Sequence, residues 1–372
     1  NFPHQVMVEQ TRKHLAFLNE VQPDGIILAD TGVLQMANEL CPNIDKHLSV
    51  QSTTVNEPGM RFWYQNGVKR IILARELPIA EVKSIHEIFP ELELEYFVHG
   101  AICMAYSGRC LLSNFMAARD ANRGACAHSC RWNYRVYDEN GYELNHTNNL
   151  PLAEEKKEIH SLESKLYLEE ELRPHEFIPA EEDFHGTHIM SSRDMCMIEH
   201  LEEIANSGVI SVKVEGRNKT IYYLATIARA YRQALDDLGE GKPFNPQLWA
   251  EVKATANRGF FAGFLHGKPF TEGQQYEANL STADADFVGQ VIKTENGRVE
   301  ILVKNRLDIG DEIEFLFPRL ADDVKLKIDQ MWKNGQLVNA LHGGDGNGEI
   351  ACEINIPPQT LIRKKLKLGL PT

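Results

Sequence analysis

The stretch DGIILADTGVLQMANEL, residues 24–40, joins a short apolar run directly to a segment with helical spacing. The run DGIILAD is rich in isoleucine and leucine and is bounded by aspartates, which is typical of a strand. The segment TGVLQMANEL that follows has the apolar spacing of a helix. The sequence therefore predicts a strand followed at once by a helix.

The same alternation continues through the first 235 residues. Its strand candidates are residues 24–30, 47–53, 69–75, 92–100, 187–192 and 211–216, and helical segments such as 31–40 and 77–89 lie between the first four. Strands that alternate with helices predict an α/β fold with a parallel sheet covered by helices. No G-x-G-x-x-G motif follows any strand, which argues against a dinucleotide-binding sheet.

Polar and charged residues cluster directly after the predicted strands. They are Asp30, Gln51, Ser52, Arg75, Glu76, His99, Ser191, Ser192, Glu215 and Arg217. In (β/α) barrels the carboxyl ends of the strands carry the chemistry, so this clustering favours a TIM-like barrel over an open doubly wound sheet. Because a complete barrel has eight strands, the shorter set of candidates predicts a barrel that lacks its first strands.

The later part of the chain departs from this alternation. We expect a barrel domain over residues 1–238, with an insertion over about 111–186 that serves as a lid or a recognition element. A linker rich in Gly, Pro and Asn spans residues 239–280. Short alternating strands with turn signals over residues 281–372 predict a small all-β barrel domain.

Two elements are predicted inside the insertion. The run RWNYRVYDENGYEL predicts a hairpin around Asn140 and Gly141, because an Asn-Gly pair favours the tight turn of a hairpin. The highly charged stretch over residues 153–176 predicts an exposed helix.

The overall charge limits the possible partners. The chain has 39 basic and 53 acidic residues, a net charge of −14, which argues against a general nucleic-acid coat protein. Basic residues within 119–135 and 363–367 suit a local RNA-binding face or an ordinary solvated surface. No apolar run is long enough to span a membrane, and the opening residues lack the pattern of a signal peptide. We therefore expect a cytoplasmic protein whose natural N-terminus lies upstream of Asn1.

Cysteines provide the main chemical signal. The chain has seven of them: Cys41, Cys103, Cys110, Cys126, Cys130, Cys196 and Cys352. The first and last are isolated, and we interpret them as structural, since free cysteines are commonly buried. A large α/β chain without a secretory signal is usually reduced, so the clustered cysteines favour a metal or redox site over disulfides.

The spacing of these cysteines leaves the kind of site open. Zinc ligands usually come as C-x₂₋₄-C, and only Cys126 and Cys130 have that spacing. On a straight helix, Cys103 and Cys110 would stand about 10.5 Å apart. Two sulfurs on one zinc ion are at most about 4.6 Å apart, so a single ion requires the chain to turn back. A cluster of several irons spans a greater distance, and core packing remains an alternative.

The surrounding residues resemble a known family. The stretch EYFVHGAICMAYSGRCLLS matches the signature of the collagenase-like peptidase family U32. The matching positions are Glu95, Phe97, Gly100, Ala101, Ile102, Cys103, Gly108, Cys110 and Ser113. The stretches RDANRGACAHSCRWNYRV, SSRDMCMIEHL and SVKVEGRNKTIYYLATIARAYRQAL are also similar to this family. The resemblance covers residues 1 to about 270 and the small β domain, and it is strongest to the branch involved in tRNA hydroxylation.

The resemblance implies a TIM-like barrel and an oxygen-sensitive 4Fe–4S cluster bound by four cysteines. On this chain the implied ligands are Cys103, Cys110, Cys196 and one of the pair Cys126 and Cys130. We prefer the first of that pair because it directly follows the family-like NRGA stretch. Members of the family hydroxylate bases in tRNA or ribosomal RNA, or assist ubiquinone hydroxylation, without O₂.

The predicted function follows from this resemblance. It is hydroxylation of the wobble uridine of tRNA to 5-hydroxyuridine, with prephenate as a small anionic co-substrate. A U32-type peptidase is one alternative, although no G-x-S-x-G or H-E-x-x-H motif is present. A non-catalytic RNA-binding or iron–sulfur scaffold protein is another.

Three further residues are predicted to take part in the chemistry. Glu215 and Arg217 end the last barrel strand, where they suit an anionic substrate or, alternatively, form a structural salt bridge. His99, with Arg109 and Arg123, is placed to tune a cluster through hydrogen bonds. For the histidine, a role in capping a strand end is the alternative.

Overall fold

The structure is a computed structural model that describes residues 1–103, 105–132, 192–269, 273, 282–344 and 346–366. It also gives the backbone of five short strands between residues 134 and 187. The chain divides into two compact units. Unit 1 contains residues 1–76, 103–192 and 270–279, and unit 2 contains residues 77–102, 193–269 and 280–372.

Helices and strands alternate through the first part of the chain. The helices are α1 (Val8–Val21), α2 (Thr31–Leu40), α3 (Glu57–Gln65), α4 (Ile79–Ile88), α5 (Leu112–Ala117), α6 (Leu201–Ala205), α7 (Ile221–Gly239) and α8 (Leu248–Lys253). The strands up to residue 261 are β1 (Gly25–Leu28), β2 (Asp45–Leu48), β3 (Val68–Ile72), β4 (Glu93–Ala101), β5 (Tyr134–Tyr137), β6 (Leu166–Glu170), β7 (Phe177–Ala180), β8 (Glu182–Asp183), β9 (Gly186–Thr187), β10 (Asp194–Cys196), β11 (Val209–Val214) and β12 (Phe260–Phe261). None of the described helices has the length and apolar character needed to cross a membrane.

The last part of the chain is almost entirely strand. Its strands are β13 (Ala285–Glu295), β14 (Arg298–Val303), β15 (Leu307–Asp308), β16 (Glu312–Leu316), β17 (Val324–Lys327), β18 (Met331–Lys333), β19 (Gln336–Val338), β20 (Ala340–Leu341), β21 (Asn347–Ala351) and β22 (Leu361–Lys365).

Unit 1 contains a parallel sheet formed by β1, β2 and β3. Helix α2 begins at the predicted residue, and both α2 and α3 have side-chain caps at their first turns. The Asp30 carboxylate accepts a hydrogen bond from Val33 N at 2.9 Å, and the Asn56 side chain accepts one from Gly59 N at 2.9 Å. Each cap satisfies a backbone N–H group that the first turn of a helix leaves free. These caps fix the residues at the carboxyl ends of β1 and β2.

The second predicted strand differs from the structure. Residues 47–53 were expected to be extended, but β2 ends at Leu48 and a 3-10 turn spans Val50–Ser52. The Ser49 hydroxyl accepts a hydrogen bond from Gln51 N at 3.2 Å, and this local bond competes with continued strand pairing. Thr53 then takes a left-handed conformation with φ of 49° and ends the turn.

Unit 2 contains a mixed sheet built around β4. Strand β11 runs parallel to β4, but β10 runs antiparallel to it and pairs in turn with β12. The expectation of an all-parallel sheet is therefore wrong for β10. Most of the predicted strand at 187–192 lies outside the described residues, and described pairing to β4 begins at Asp194. Short strands next to a chain reversal can pair in either direction, and alternation in the sequence does not encode that choice.

Strands β13 to β22 form a C-terminal antiparallel β domain, as predicted from their short alternating pattern. Eight of them form one sheet in the order β17-β16-β22-β13-β14-β21-β18-β19. Alternate residues on β14 are buried in an apolar core that Val291 of β13 and Phe315 of β16 share with Ile301. Burial of one side chain in two is the pattern expected of strands with one face on a core. The fold is therefore mixed α/β with parallel strands and a C-terminal antiparallel β domain.

A buried charge network also lies within unit 2. Arg229 on α7 and Arg363 on β22 both donate to the carboxylate of Glu251 on α8, and Arg363 also donates to Glu314 at 2.7 Å. The hydrogen bonds to the two guanidinium groups hold the pKa of Glu251 below its usual value despite the opposing effect of burial. Separating buried paired charges costs free energy. The network therefore stabilises the packing of the C-terminal β domain against α7 and α8.

The predicted insertion is described only in part. The hairpin expected around Asn140 and Gly141 lies outside the described residues. Within the stretch expected to form an exposed helix, residues 166–170 form strand β6, paired antiparallel with β5 and β7. That part of the helix prediction is wrong. The segment LYLEE begins with two leucines around a tyrosine, and aromatic residues favour a paired strand.

Candidate functional site

The loop over residues 103–110, here called the thiol loop, is fixed to the turn after β2 within unit 1. Gly108 has a φ of +80°, and a Cβ atom at this position would lie 2.3 Å from the carbonyl oxygen of Gln51. The Thr53 hydroxyl donates to the carbonyl oxygen of Ser107 at 2.5 Å. The Glu76 carboxylate accepts a hydrogen bond from Ser107 N at 2.7 Å. Only glycine fits this close backbone contact, which explains the glycine between the two cysteines.

Three thiols of unit 1 share one neighbourhood. Although Cys103 is exposed as a residue, desolvation of its thiol raises the pKa of that group above its ordinary value. The nearby Arg75 guanidinium opposes this shift, whereas the thiols of Cys126 and Cys110 add to it. Two thiolates raise each other's pKa only when they lie within electrostatic reach. The thiols of Cys110 and Cys126 therefore lie within electrostatic reach of the Cys103 thiol.

The two candidate cysteines, Cys126 and Cys130, lie close together in the chain. The Cys126 thiol accepts a hydrogen bond from His128 N at 3.4 Å, and His128 has a left-handed conformation with φ of 56°. Backbone N–H groups that point at sulfur stabilise the thiolate form needed for ligation. Cys130 lies in the following 3-10 turn, Ser129–Arg131. All seven cysteines are free thiols.

Cys196 lies in unit 2, in a buried environment. Its sulfur is 3.7 Å from the Tyr231 hydroxyl, and burial raises the pKa of its thiol to about 11. The Tyr231 hydroxyl donates to the carbonyl oxygen of Val98 at 2.8 Å and accepts from Met197 N at 3.2 Å. The tyrosine is thus held in a fixed position beside the thiol.

His99 is fully buried opposite Cys196 in the pairing of β4 with β10. Its Nδ1 lies 3.3 Å from the Tyr231 hydroxyl, and no described residue bonds to its Nε2 atom. Burial lowers the pKa of the imidazole to about 3, while the nearby Asp194 opposes that shift. His99 is therefore neutral at physiological pH and suits hydrogen bonding better than proton transfer. It reaches Cys196 through Tyr231, which is compatible with the predicted tuning role.

Glu215 and Arg217 follow β11 but do not form the salt bridge considered as an alternative. The Glu215 Oε1 atom accepts a hydrogen bond from the backbone N of Arg217 at 3.0 Å, and Oε2 is buried without a partner among the described residues. The Arg217 side chain is exposed. Gly100 allows this arrangement, because a Cβ atom there would lie 2.6 Å from the Glu215 carbonyl oxygen. Neighbouring Tyr223 is buried against His99, so it packs rather than stacks on a base.

The described thiols are too far apart for three of them to bind one metal ion. Within the described part of the chain, one set of metal-ligand atoms lies mutually within 4.8 Å, and it consists of His200, Glu203 and His266. The cysteine thiols form no such compact group, which one tetrahedral ion would require. In the histidine group, the His266 Nε2 atom lies 3.0 Å from a carboxylate oxygen of Glu203. This contact is an ordinary ion pair between exposed side chains.

Several polar residues expected at strand ends meet around one cavity in unit 1. Its volume is about 540 Å³, and Asp30, Gln51 and Ser52 all line it. Trp63 and Asn122 also line it, although no local pattern in the sequence marked them. They come from α3 and from the 3-10 turn after α5, so only the tertiary structure places them here.

Comparison with known families identifies the chain. Residues 1–275 match the model of peptidase family U32, and residues 283–363 match the model of the C-terminal domain of that family. The protein belongs to peptidase family U32. Family membership confirms the resemblance on which the ligand assignment depends, while the individual ligands stay predictions.

Three relatives of this U32 protein are informative. The tRNA hydroxylation protein P of Haemophilus influenzae is 39% identical over 381 residues, which cover 97% of this chain and 82% of that protein. The tRNA hydroxylation protein P of Escherichia coli is 39% identical and covers 85% of this chain and 72% of its own length. The 23S rRNA 5-hydroxycytidine synthase of Escherichia coli is 27% identical, with coverage of 90% of this chain and 45% of that protein.

Proposed function

We propose that this U32 protein is a tRNA hydroxylase that converts the wobble uridine to 5-hydroxyuridine without O₂. The observation that carries the proposal is the 39% identity, over 97% of the chain, to a protein named for tRNA hydroxylation. The similarity to a 5-hydroxycytidine synthase supports chemistry at C5 of a pyrimidine. tRNA is thus the proposed partner, in the cytoplasm.

The proposed cofactor is a 4Fe–4S cluster. Its ligands would be Cys103, Cys110, Cys126 and Cys196, with Cys130 as the alternative to Cys126. Support comes from the mutual effect of three of these thiols on one pKa and from the N–H group directed at the Cys126 sulfur. When bound, such a cluster supplies one-electron transfer at a potential set by its four thiolates.

The overall reaction requires redox chemistry. Replacing C5–H of uridine by C5–OH, with oxygen at the oxidation level of water, releases two protons and two electrons, and the electrons must pass to an external acceptor other than O₂. His99 and Tyr231 are proposed to support the ligand Cys196. His99 stays neutral and holds a hydrogen bond to Tyr231, and Tyr231 in turn lies beside the Cys196 thiol. Together they keep the position of this sulfur and exclude water from it.

Arg217 and Glu215 are proposed to bind a small anionic co-substrate, and prephenate is our candidate. The exposed guanidinium of Arg217 can form two parallel hydrogen bonds to a carboxylate. Glu215 holds the backbone of Arg217 in place through its bond to the amide N–H. We further propose that the parallel strands belong to a TIM-like barrel, in which these residues would lie at the substrate face.

The proposal is tested by deleting the gene and measuring modified nucleosides of total tRNA by mass spectrometry. We expect 5-hydroxyuridine derivatives to disappear and to return when the full-length protein is supplied. A deletion strain with an unchanged nucleoside profile would refute the proposal. Cleavage of gelatin or casein that is lost on substitution of Cys103 would instead favour the peptidase that the family name suggests.

A non-catalytic role predicts a different result. A scaffold or RNA-binding protein would retain its effect on tRNA when Arg217 and Glu215 are replaced, because neither residue would meet a substrate. Complementation with Arg217→Gln, in a chain that keeps its normal iron content, separates the two cases. We expect that variant to lose most 5-hydroxyuridine, whereas full modification would argue against catalysis at this position.

A further inference from the structure

The cavity in unit 1 is a candidate binding site for a flat polar molecule. It lies at the carboxyl ends of β1 and β2, where α/β proteins commonly bind ligands. Its volume of about 540 Å³ is within the range of small-molecule sites. Gly108 and Arg109 of the thiol loop form part of the same wall. A ligand in the cavity therefore contacts the loop that carries Cys110.

The polar groups of the cavity include two hydrogen-bond acceptors. Asp30 uses Oδ1 to cap α2, which leaves its second carboxylate oxygen available. The Gln51 amide nitrogen donates to the carbonyl oxygens of Ala121 and Asn122, both at 3.3 Å. Its Oε1 atom is buried, and no described residue donates to it. A buried amide oxygen without a hydrogen bond is energetically costly. The site therefore favours a ligand with an N–H group that donates to this oxygen.

The remaining walls suit a planar ring with carbonyl groups. Trp63 offers an aromatic face, on which any nucleobase can stack. The side chains of Arg109 and Asn122 form no hydrogen bond with another described residue. Their N–H groups are therefore available to hydrogen-bond acceptors of a ligand. A uracil ring has this pattern, because its N3–H donor lies between two carbonyl acceptors. Cytosine presents an acceptor at N3 instead and would meet Asp30 and Gln51 with the wrong polarity.

We propose that this cavity binds the uracil base of the target nucleotide and selects it against cytosine. The inference rests on the proposed tRNA hydroxylation and adds to it the location of the base and the residues that select it. The single N3–H group donates a three-centre hydrogen bond shared by Asp30 and Gln51, Trp63 stacks on the ring, and Arg109 donates to a carbonyl oxygen. A base held in this way is flipped out of its stack, as enzymes that modify bases require.

The test compares two anticodon stem–loop RNAs that differ only by uridine or cytidine at the wobble position. We expect the wild-type full-length chain to bind the uridine RNA at least about tenfold more tightly, since a mismatched buried polar group is penalised. Asp30→Asn keeps a helix cap, because asparagine caps as well as aspartate, but replaces the acceptor oxygen and its charge. This variant should lose the preference for uridine while its thermal unfolding stays unchanged.

Matched variants separate the cavity from general effects. Asp45→Asn removes an exposed aspartate of β2 that is paired with Lys69, outside the cavity, and should keep the full preference. Trp63→Ala should weaken binding of both RNAs, whereas Trp332→Ala in the C-terminal β domain should not. Iron per chain should stay at the wild-type level in all four variants.

The results distinguish this inference from the proposed function. Equal binding of uridine and cytidine RNAs by the wild-type chain, or an unchanged preference in Asp30→Asn, would overturn the cavity assignment even if 5-hydroxyuridine depends on the protein. A uridine preference that Asp30→Asn abolishes would support the cavity even if tRNA nucleosides do not change on gene deletion. In that second case, the proposed hydroxylation fails and the base-binding site remains.

Discussion

The thiols of unit 1 and the thiol of Cys196 in unit 2 have very different surroundings. Cys103, Cys110 and Cys126 lie on loops and are fixed by backbone contacts such as those of Gly108 and by the N–H group of His128. Cys196 is a buried strand residue beside the Tyr231 hydroxyl, and burial raises the pKa of its thiol to about 11.

This difference shows two ways of positioning a thiol. A loop needs unusual backbone conformations, left-handed φ values and close packing, because no regular pairing fixes it. A strand residue is positioned by the register of the sheet. Its energetic cost is the burial of a polar side chain that has few hydrogen-bond partners. Mutations in the two regions should therefore fail in different ways.

The largest effect is expected from the loop cysteines. Cys103→Ser removes one proposed ligand, so iron and sulfide measured after anaerobic purification should fall from about four of each per chain to nearly none. The visible absorbance of the cluster should disappear as well.

Cys352→Ser provides the control for this change. It lies in the C-terminal β domain, where its thiol donates to the carbonyl oxygen of Ile354, and it should keep the wild-type iron content. Equal iron in both variants would contradict the assignment of Cys103 as a ligand.

A large loss of stability is expected from Gly108→Ala. The added Cβ atom would lie 2.3 Å from the Gln51 carbonyl oxygen, so the backbone must move in addition to the strain of a positive φ. We expect the free energy of unfolding in urea to fall by about 3 kcal/mol or more.

Gly241→Ala is the matched control. Gly241 has a φ of +71° but no atom within 4 Å of the added Cβ, so only conformational strain of about 1 kcal/mol should appear. The difference between the two variants measures the packing of the thiol loop against the turn after β2. Similar losses in both would show that this packing is loose.

His99 should give the buried region a distinct pH dependence. Its folded pKa of about 3 lies below the ordinary value of 6.5, so below pH 6.5 the unfolded chain binds a proton that the folded chain does not. Stability is therefore complete above pH 6.5 and falls as the pH drops toward 3, by up to about 1.4 kcal/mol per unit.

The contribution of His99 is isolated by comparing unfolding in urea between pH 6.5 and 4.5 for the wild type and His99→Gln. In the wild type, His99 should lower the free energy of unfolding by about 2 kcal/mol or more between pH 6.5 and 4.5, and the variant should lack this decrease. His14→Gln, at an exposed position of α1, should keep the wild-type slope. Parallel curves for the wild type and His99→Gln would argue that His99 is more hydrated than the structure indicates.

A smaller effect is expected from Tyr231→Phe. The variant loses the hydroxyl that donates to the Val98 carbonyl oxygen and lies beside the Cys196 sulfur, while Met197 N keeps its 2.9 Å hydrogen bond to Val98 O. The free energy of unfolding should fall by about 1–2 kcal/mol. Tyr106→Phe in the thiol loop, where the ring is 68% exposed, should change it by less than about 0.5 kcal/mol. If both variants unfold alike, the tyrosine does not stabilise the buried thiol.

Much of the fold could be predicted from short-range patterns. Helix α2 matches the predicted segment 31–40, and β4 lies within one residue of the predicted 92–100, because each has a clear apolar pattern and a capping or turn residue at its end. The prediction was wrong where local hydrogen bonds or chain reversal decide the outcome. Ser49 ends β2 early, and β10 pairs antiparallel to β4.

The candidate site was predicted in part. The family resemblance implied Cys103, Cys110, Cys196 and either Cys126 or Cys130 as ligands. The structure places the thiols of Cys110 and Cys126 within electrostatic reach of Cys103. The spacing of the cysteines could not predict this proximity, because it depends on where the turn after β2 meets the thiol loop.

The sequence by itself determined the alternation of strands and helices, the antiparallel C-terminal domain and the membership of family U32, since all of these depend on patterns along the chain. Only the tertiary structure decided that Asp30, Gln51, Trp63 and Arg109 line one cavity and that His99 reaches Cys196 through Tyr231. The physical reason is that these contacts join residues far apart in the chain. They depend on backbone packing and burial, which no local pattern encodes.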